Sequence, residues 1–225
     1  MKIIIGTLAI ILLFLTACAI TGKVTDPLNC DSYPNTQLAA KDNCYSEQRQ
    51  CSKIQSTKVR DSCVVELAKI KGNSTVCTLI IDNQTKSFCL EQIAEVKNDH
   101  ILCYDIEDLY WQNNCHYHLA INNNEHKFCG LITDDEQRID CFMKIALTTE
   151  NAEICESLPN KNREECVYKI AVQSKRAELC STLLNEFNQN TCRLRVAKSS
   201  NNAEICPTIT ITVIKESCNK HFAEK

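Results

Sequence analysis

The chain has 225 residues and a formal net charge of −3, with no dense Lys/Arg block, so the electrostatic footprint of a nucleic-acid binder is missing. Aromatic residues make up 6% and Gly and Pro four residues each, while Cys reaches 17. This balance excludes an ordinary aromatic core and a glycine-rich phosphate loop, and leaves small aliphatics and sulfur to build the interior.

The N-terminus reads as a targeting segment. Lys2 supplies the positive start, Ile3 to Leu15 is almost wholly apolar, and the run ends in Leu15-Thr16-Ala17-Cys18. That ending resembles the lipobox of bacterial and archaeal lipoproteins. The resemblance implies that residues 1–17 are a signal peptide and that Cys18 becomes a lipidated N-terminus, held to the membrane by buried methylenes. Two other readings stand beside it. Ala17-Cys18-Ala19 fits an A-x-A cleavage site that would release a secreted protein, and Ile3 to Ile20 fits a short uncleaved membrane helix. Each of them leaves the rest of the chain outside the cytoplasm. Residues 18–29, with Gly22 and Pro27, read as a tether. Setting Cys18 aside leaves an even number of cysteines, as a disulfide framework requires.

Residues 30–50, with Cys30 and Cys44, read as a divergent N-terminal cap, and residues 51–225 as a repeat array. From Cys51 the cysteines fall at 63, 77, 89, 103, 115, 129, 141, 155, 166, 180, 192, 206 and 218, in steps of 12 and 14 with a single 11. Seven units of about 26 residues follow one another, so the expected fold is all-α: a disulfide-stapled α-solenoid of helical-hairpin repeats. In the first arm of each unit, Ile or Leu stands three residues after the cysteine, at Ile54, Ile80, Ile106, Ile132, Leu158, Leu183 and Ile209. The second arm carries its cysteine and, five residues later, Ala68, Ala94, Ala120, Ala146, Ala171, Ala197 or Ala223, which suggests a close helix crossing. Asn151 and Asn202 are expected N-caps, Asn162 with Glu165 has the form of a capping box, and Pro159 marks a stop. The step of 7 from Cys44 to Cys51 fits one continuous helix.

Pairing follows from the hairpin. Cys155 and Cys166 lie about equally far from the turn near Asn160, whereas Cys166 and Cys180 are offset by roughly 6 Å at 1.5 Å per residue. The expected bridges are therefore Cys51–Cys63, Cys77–Cys89, Cys103–Cys115, Cys129–Cys141, Cys155–Cys166, Cys180–Cys192 and Cys206–Cys218, with Cys30–Cys44 as the eighth.

The lipobox, the following Ala-Ile-Thr-Gly-Lys-Val-Thr and repeats of the form Arg-Asp-x-Cys-x-x-x-Leu-Ala (Arg60 to Ala68) resemble cysteine-rich α-helical-repeat lipoproteins predicted in archaeal and related genomes. The resemblance spans residues 1–225. It implies a location on the outer face of the cell membrane and a fold, and carries no mechanism.

Catalytic motifs are missing. The chain has no G-x-S-x-G, no H-E-x-x-H and no C-x-x-C, and cysteines 11 to 14 apart read as cystines rather than metal ligands. One unit departs from the others. Residues 99–124 hold Tyr104, Tyr110, Trp111 and Tyr117, with His100, His116 and His118 and the acidic Asp105, Glu107 and Asp108. Tyr104, Tyr110, Trp111 and His116 form a candidate recognition patch. The plainer reading is that the aromatics fill a gap at a turn and the histidines are solvated. His116 and His118, two apart, point away from each other on a helix, which disfavours a paired metal site. Asn73-Ser74-Thr75 and Asn83-Gln84-Thr85 have the form of glycosylation sequons. The expected role is a non-enzymatic, lipid-anchored scaffold that needs no cofactor and presents its surface to a protein or surface polymer. The alternative is an extracytoplasmic enzyme with a dispersed site around Asp108, Glu107 and His116.

Overall fold

The computed structural model describes residues 29–224. The signal segment and Cys18 lie outside these residues. Among the described residues there is no strand, and eight α-helices follow in order: α1 (Leu38–Glu47), α2 (Thr57–Lys71), α3 (Asn83–Lys97), α4 (Leu109–Asn123), α5 (Asp135–Thr149), α6 (Asn160–Gln173), α7 (Glu186–Ser200) and α8 (Thr212–Ala223). None of them is long and apolar enough to cross a membrane.

The first arm of each repeat is a 3-10 helix. These arms are Cys51–Lys53, Ser74–Leu79, His100–Asp105, His126–Leu131, Ala152–Ser157, Ala177–Thr182 and Ala203–Thr208. The local reason is a spacing of three. With three residues per turn, the cysteine and the aliphatic three positions on stack along one edge. That aliphatic closes the segment by donating its N–H to the cysteine carbonyl, as Ile80 does to Cys77 (3.1 Å) and Ile106 to Cys103 (3.2 Å). The other end is capped by an Asx turn. Asn73, Asp99, Asn151 and Asn202 each accept from the N–H two residues on, so the Asn of NAEIC caps the segment and Ala152 or Ala203 begins it.

Eight bridges close the units: Cys30–Cys44, Cys51–Cys63, Cys77–Cys89, Cys103–Cys115, Cys129–Cys141, Cys155–Cys166, Cys180–Cys192 and Cys206–Cys218. Cα separations lie between 5.6 and 5.8 Å, inside the ordinary range for a cystine. The sulfurs line the core with the post-cysteine aliphatics; Cys77, Cys103, Cys129, Cys155 and Cys180 are fully buried. A loop closed by about 12 residues contributes on the order of 3 kcal/mol in the chain-entropy view. So many bridged cysteines mark an oxidising, extracytoplasmic setting.

Stacking joins what the bridges leave separate. Each α-helix packs against the α-helix of the unit before it and against the next 3-10 arm. The recurrent alanine lies at this junction. Ala68, Ala94, Ala120, Ala146, Ala171 and Ala197 are fully buried, whereas Ala223, in the last described unit, is exposed. The same alanines accept the closing bond of a helix C-terminus whose next-to-last residue turns left-handed: Asn73 N–H reaches the Ala68 carbonyl across Gly72, whose φ is 56°. In later units Asn98, Asn124, Glu150, Lys175 and Asn201 take that left-handed position.

A second junction contact is a side-chain latch. The residue two before the second cysteine reaches into the next unit and caps the backbone amides that enter the next α-helix. Asp42 accepts from Gln55 and Ser56 (both 2.9 Å), Asp61 from Asp82 (3.1 Å), Asn113 from Thr133 (2.9 Å), Glu164 from Leu184 (2.8 Å) and Asn190 from Thr210 (2.6 Å). Where that register holds Ile139, the residue in the amide position is Pro159, which has no N–H to satisfy. The remaining junction holds Ser87, whose short side chain makes no such bond.

Two local expectations are corrected. Cys44 and Cys51 are not on one helix: α1 ends at Glu47, and Arg49 turns left-handed (φ 58°) before the next 3-10 arm. Asn162 and Glu165 do not form a capping box. The shorter unit starts its helix at Asn160 directly after Pro159, so Asn162 lies inside the first turn and Glu165 pairs with Lys169 at 2.6 Å.

Candidate functional site

The aromatic unit sits in the middle of the array, on the 3-10 arm His100–Asp105 and on α4. Asp108 caps α4 by accepting from the Trp111 N–H (3.2 Å), which fixes the first turn and turns Leu109 and Tyr110 outward, both more than 60% exposed. Trp111 is partly buried and meets Tyr110 edge-on at 5.7 Å between ring centroids. Its other edge meets Phe88 of α3 at 6.3 Å and 71°. Phe88, Trp111 and Tyr110 therefore form one ridge across two units.

Phe88 carries no sign of this in the sequence. It becomes a neighbour of Trp111 only through the stacking of α3 on α4. Tyr104 is exposed as well, but its ring packs edge-on to His116 at 5.1 Å, away from the ridge contacts.

His116 is not a surface group. It is fully buried at the base of Tyr104, and neither ring nitrogen has a hydrogen-bond partner. Burial, with the nearby His100 adding to it, lowers its pKa to about 4, so the ring is neutral at ordinary pH. It therefore leaves the recognition patch and acts as a core residue. Asp108 and His116, eight residues apart on one helix, are separated by roughly 12 Å of rise. A cavity of about 270 Å³ at the α3–α4 junction is lined by Ser87, Lys86, Glu107 and Asp108 and does not include His116. The carboxylates and the histidine of the enzyme alternative are thus not brought together.

Beside the ridge runs a groove of about 740 Å³ between α4 and α5. Leu109 and Tyr110 form one wall; Asp134, Glu136 and Asp140 form the other. Tyr117 donates to Asp140 at 2.7 Å, and burial together with that bond pushes the phenol up to about 12, so it stays a donor. The groove is aromatic on one side and acidic on the other. Both sequon asparagines are exposed, and Asn73 Oδ1 already accepts from the Thr75 N–H and hydroxyl (3.0 and 2.8 Å).

Comparison with protein-family models, curated proteins and solved structures finds no match to this chain. The functional reading therefore rests on the sequence and the geometry of this chain.

Proposed function

We propose that the protein is a non-enzymatic surface lipoprotein, anchored through Cys18 on the outer face of the cell membrane. Its stapled solenoid acts as a binding or structural scaffold toward a protein or surface polymer. The apolar run ending in Leu15-Thr16-Ala17-Cys18 supports the anchor, and the bridged cysteines support the compartment. The kinship with cysteine-rich helical-repeat lipoproteins belongs to the same proposal.

One observation carries the binding role: Phe88, Trp111 and Tyr110 form a ridge whose Tyr110 end, with Leu109, walls an open groove with an acidic far side. Large aromatics with one face free are the usual anchors of a binding surface. An unusual unit in an otherwise uniform array is where a solenoid places such a surface.

The test is crosslinking on the native cell surface, comparing the natural chain with the Tyr110→Ala, Trp111→Ala double variant. The expected result is a specific crosslinked species that the double variant loses while the disulfides and the membrane fraction are unchanged. An identical crosslinking pattern in both chains would refute the ridge as the binding surface. Since Trp111 is the only tryptophan, its emission also reports occupancy directly.

A further inference from the structure

The stripe of α3 that faces α4 carries Ser87, Glu91 and Glu95, spaced one turn apart. Opposite them on α4 stands His118. Its Nδ1 lies 2.8 Å from Glu91 Oε1 and 3.1 Å from Glu95 Oε1, and the three atoms all fall within 4.8 Å of one another.

Glu91 is the uncommon member. It is 2% exposed, and its Oε1 is buried without a hydrogen-bond partner. His118 is in ion-pair reach of both carboxylates, nearer to Glu91 than to Glu95, and both raise its pKa. An aligned hydrogen bond is made toward Glu95, so the imidazole's charge meets Glu91 Oε1 without a directed N–H. No Lys or Arg among the described residues pairs with either carboxylate. A carboxylate held out of water with an unsatisfied oxygen is costly unless a cation meets it.

We propose that Glu91, Glu95 and His118 form a site for a divalent first-row transition metal, with Zn²⁺ as its representative. Two carboxylate oxygens and one imidazole nitrogen are a donor set such ions accept, and convergence from one helical face and one facing helix fits a small tetrahedral or octahedral ion. His118 is about half exposed, so the remaining coordination positions open to water. His118 points toward α3, away from His116, so it is the partner helix that supplies the second and third ligands.

The placement gives the ion a task. Every bridge lies within a unit, and the α3–α4 junction is the one where Ser87 stands in the register of the amide-capping latch and makes no bond. A metal held by α3 and α4 clamps one of the two junctions that lack this contact, between the same two helices that carry the Phe88–Trp111 pair.

The experiment uses the disulfide-intact chain, stripped with a chelator and titrated separately with Zn²⁺ and Ca²⁺ by calorimetry and thermal melting. The expected result is one Zn²⁺ per chain with a raised melting temperature, and no comparable response to Ca²⁺. Glu95→Gln and His118→Lys should each weaken Zn²⁺ binding by more than about tenfold, since loss of a direct ligand costs at least what loss of a supporting partner does. His118→Lys keeps a positive charge between the carboxylates, so a simple ion pair would survive it. Three results would each overturn the site: no stoichiometric Zn²⁺ binding, equal binding in both variants and the natural chain, or Ca²⁺ binding as tight as Zn²⁺.

Discussion

At five junctions the side chain two residues before the second cysteine does the same work in chemically different forms. Asp42, Asp61, Asn113, Glu164 and Asn190 share only a terminal oxygen within reach of the next unit's amides, and that oxygen is what the junction selects. Asn190 is the fullest case, accepting from Thr210 (2.6 Å) and Ile211 (3.3 Å) while its own amide donates to the Glu186 carbonyl (2.8 Å). Removing it leaves the part-buried Thr210 and Ile211 amides without their acceptor, so Asn190→Ala should lower stability by about 1 kcal/mol in denaturant unfolding with bridges intact. Ser87→Asn installs the missing acceptor and should raise stability by about 1 kcal/mol. Ile139→Asn should gain less, because Pro159 has no N–H to offer and only the Asn160 amide is left at that register. A gain from Ile139→Asn equal to that from Ser87→Asn would show that the latch reading is wrong. None of this was legible in the sequence, where Asp, Asn, Glu, Ser and Ile at one register look like an unconstrained surface position. His116 misled for a related reason: histidine and tyrosine side by side in sequence read as a polar patch, and only the packing of Tyr104 over the ring shows the imidazole to be interior.

At the scale of the element, the cysteine and aliphatic spacing was legible and the helix type was not. A spacing of three suits one face of an α-helix and one edge of a 3-10 helix alike, and six residues are too few for periodicity to separate them. The Asx turn at Asn73, Asp99, Asn151 and Asn202 supports the tighter helix, since it closes a turn two residues on, but the arms after Gln50, Glu125 and Arg176 are 3-10 without it. The alanine reading was stronger because it had an internal control. Ala120 is fully buried against the following unit, while Ala223 at the same register, in the last described unit, is exposed. Ala120→Leu should therefore destabilise by about 1–3 kcal/mol through overpacking of the junction, whereas Ala223→Leu should leave thermal unfolding almost unchanged. Equal effects at the two positions would remove the crossing as the reason for alanine.

The whole molecule is an array in which covalent closure and non-covalent stacking are divided cleanly. Cystines make each short hairpin a rigid unit that has too little core to fold alone, and alanine contacts, amide latches and the proposed metal clamp join unit to unit. The disulfide periodicity alone was enough to reveal the repeat, its length and its pairing, because sulfur chemistry tolerates little error in spacing. Tyr110 and Trp111 of the ridge were legible, but Phe88 and the cluster of Glu91, Glu95 and His118 were hidden, since each contact joins two units about 25 residues apart in the chain. Function on such a scaffold depends on the units remaining individually closed and serially stacked. Non-reducing peptide mapping of the protein taken from its native surface tests that directly. The account predicts eight cystine-linked pairs, each inside one unit, including Cys155 with Cys166 and Cys180 with Cys192. A peptide joining Cys166 to Cys180 across the unit boundary would contradict it.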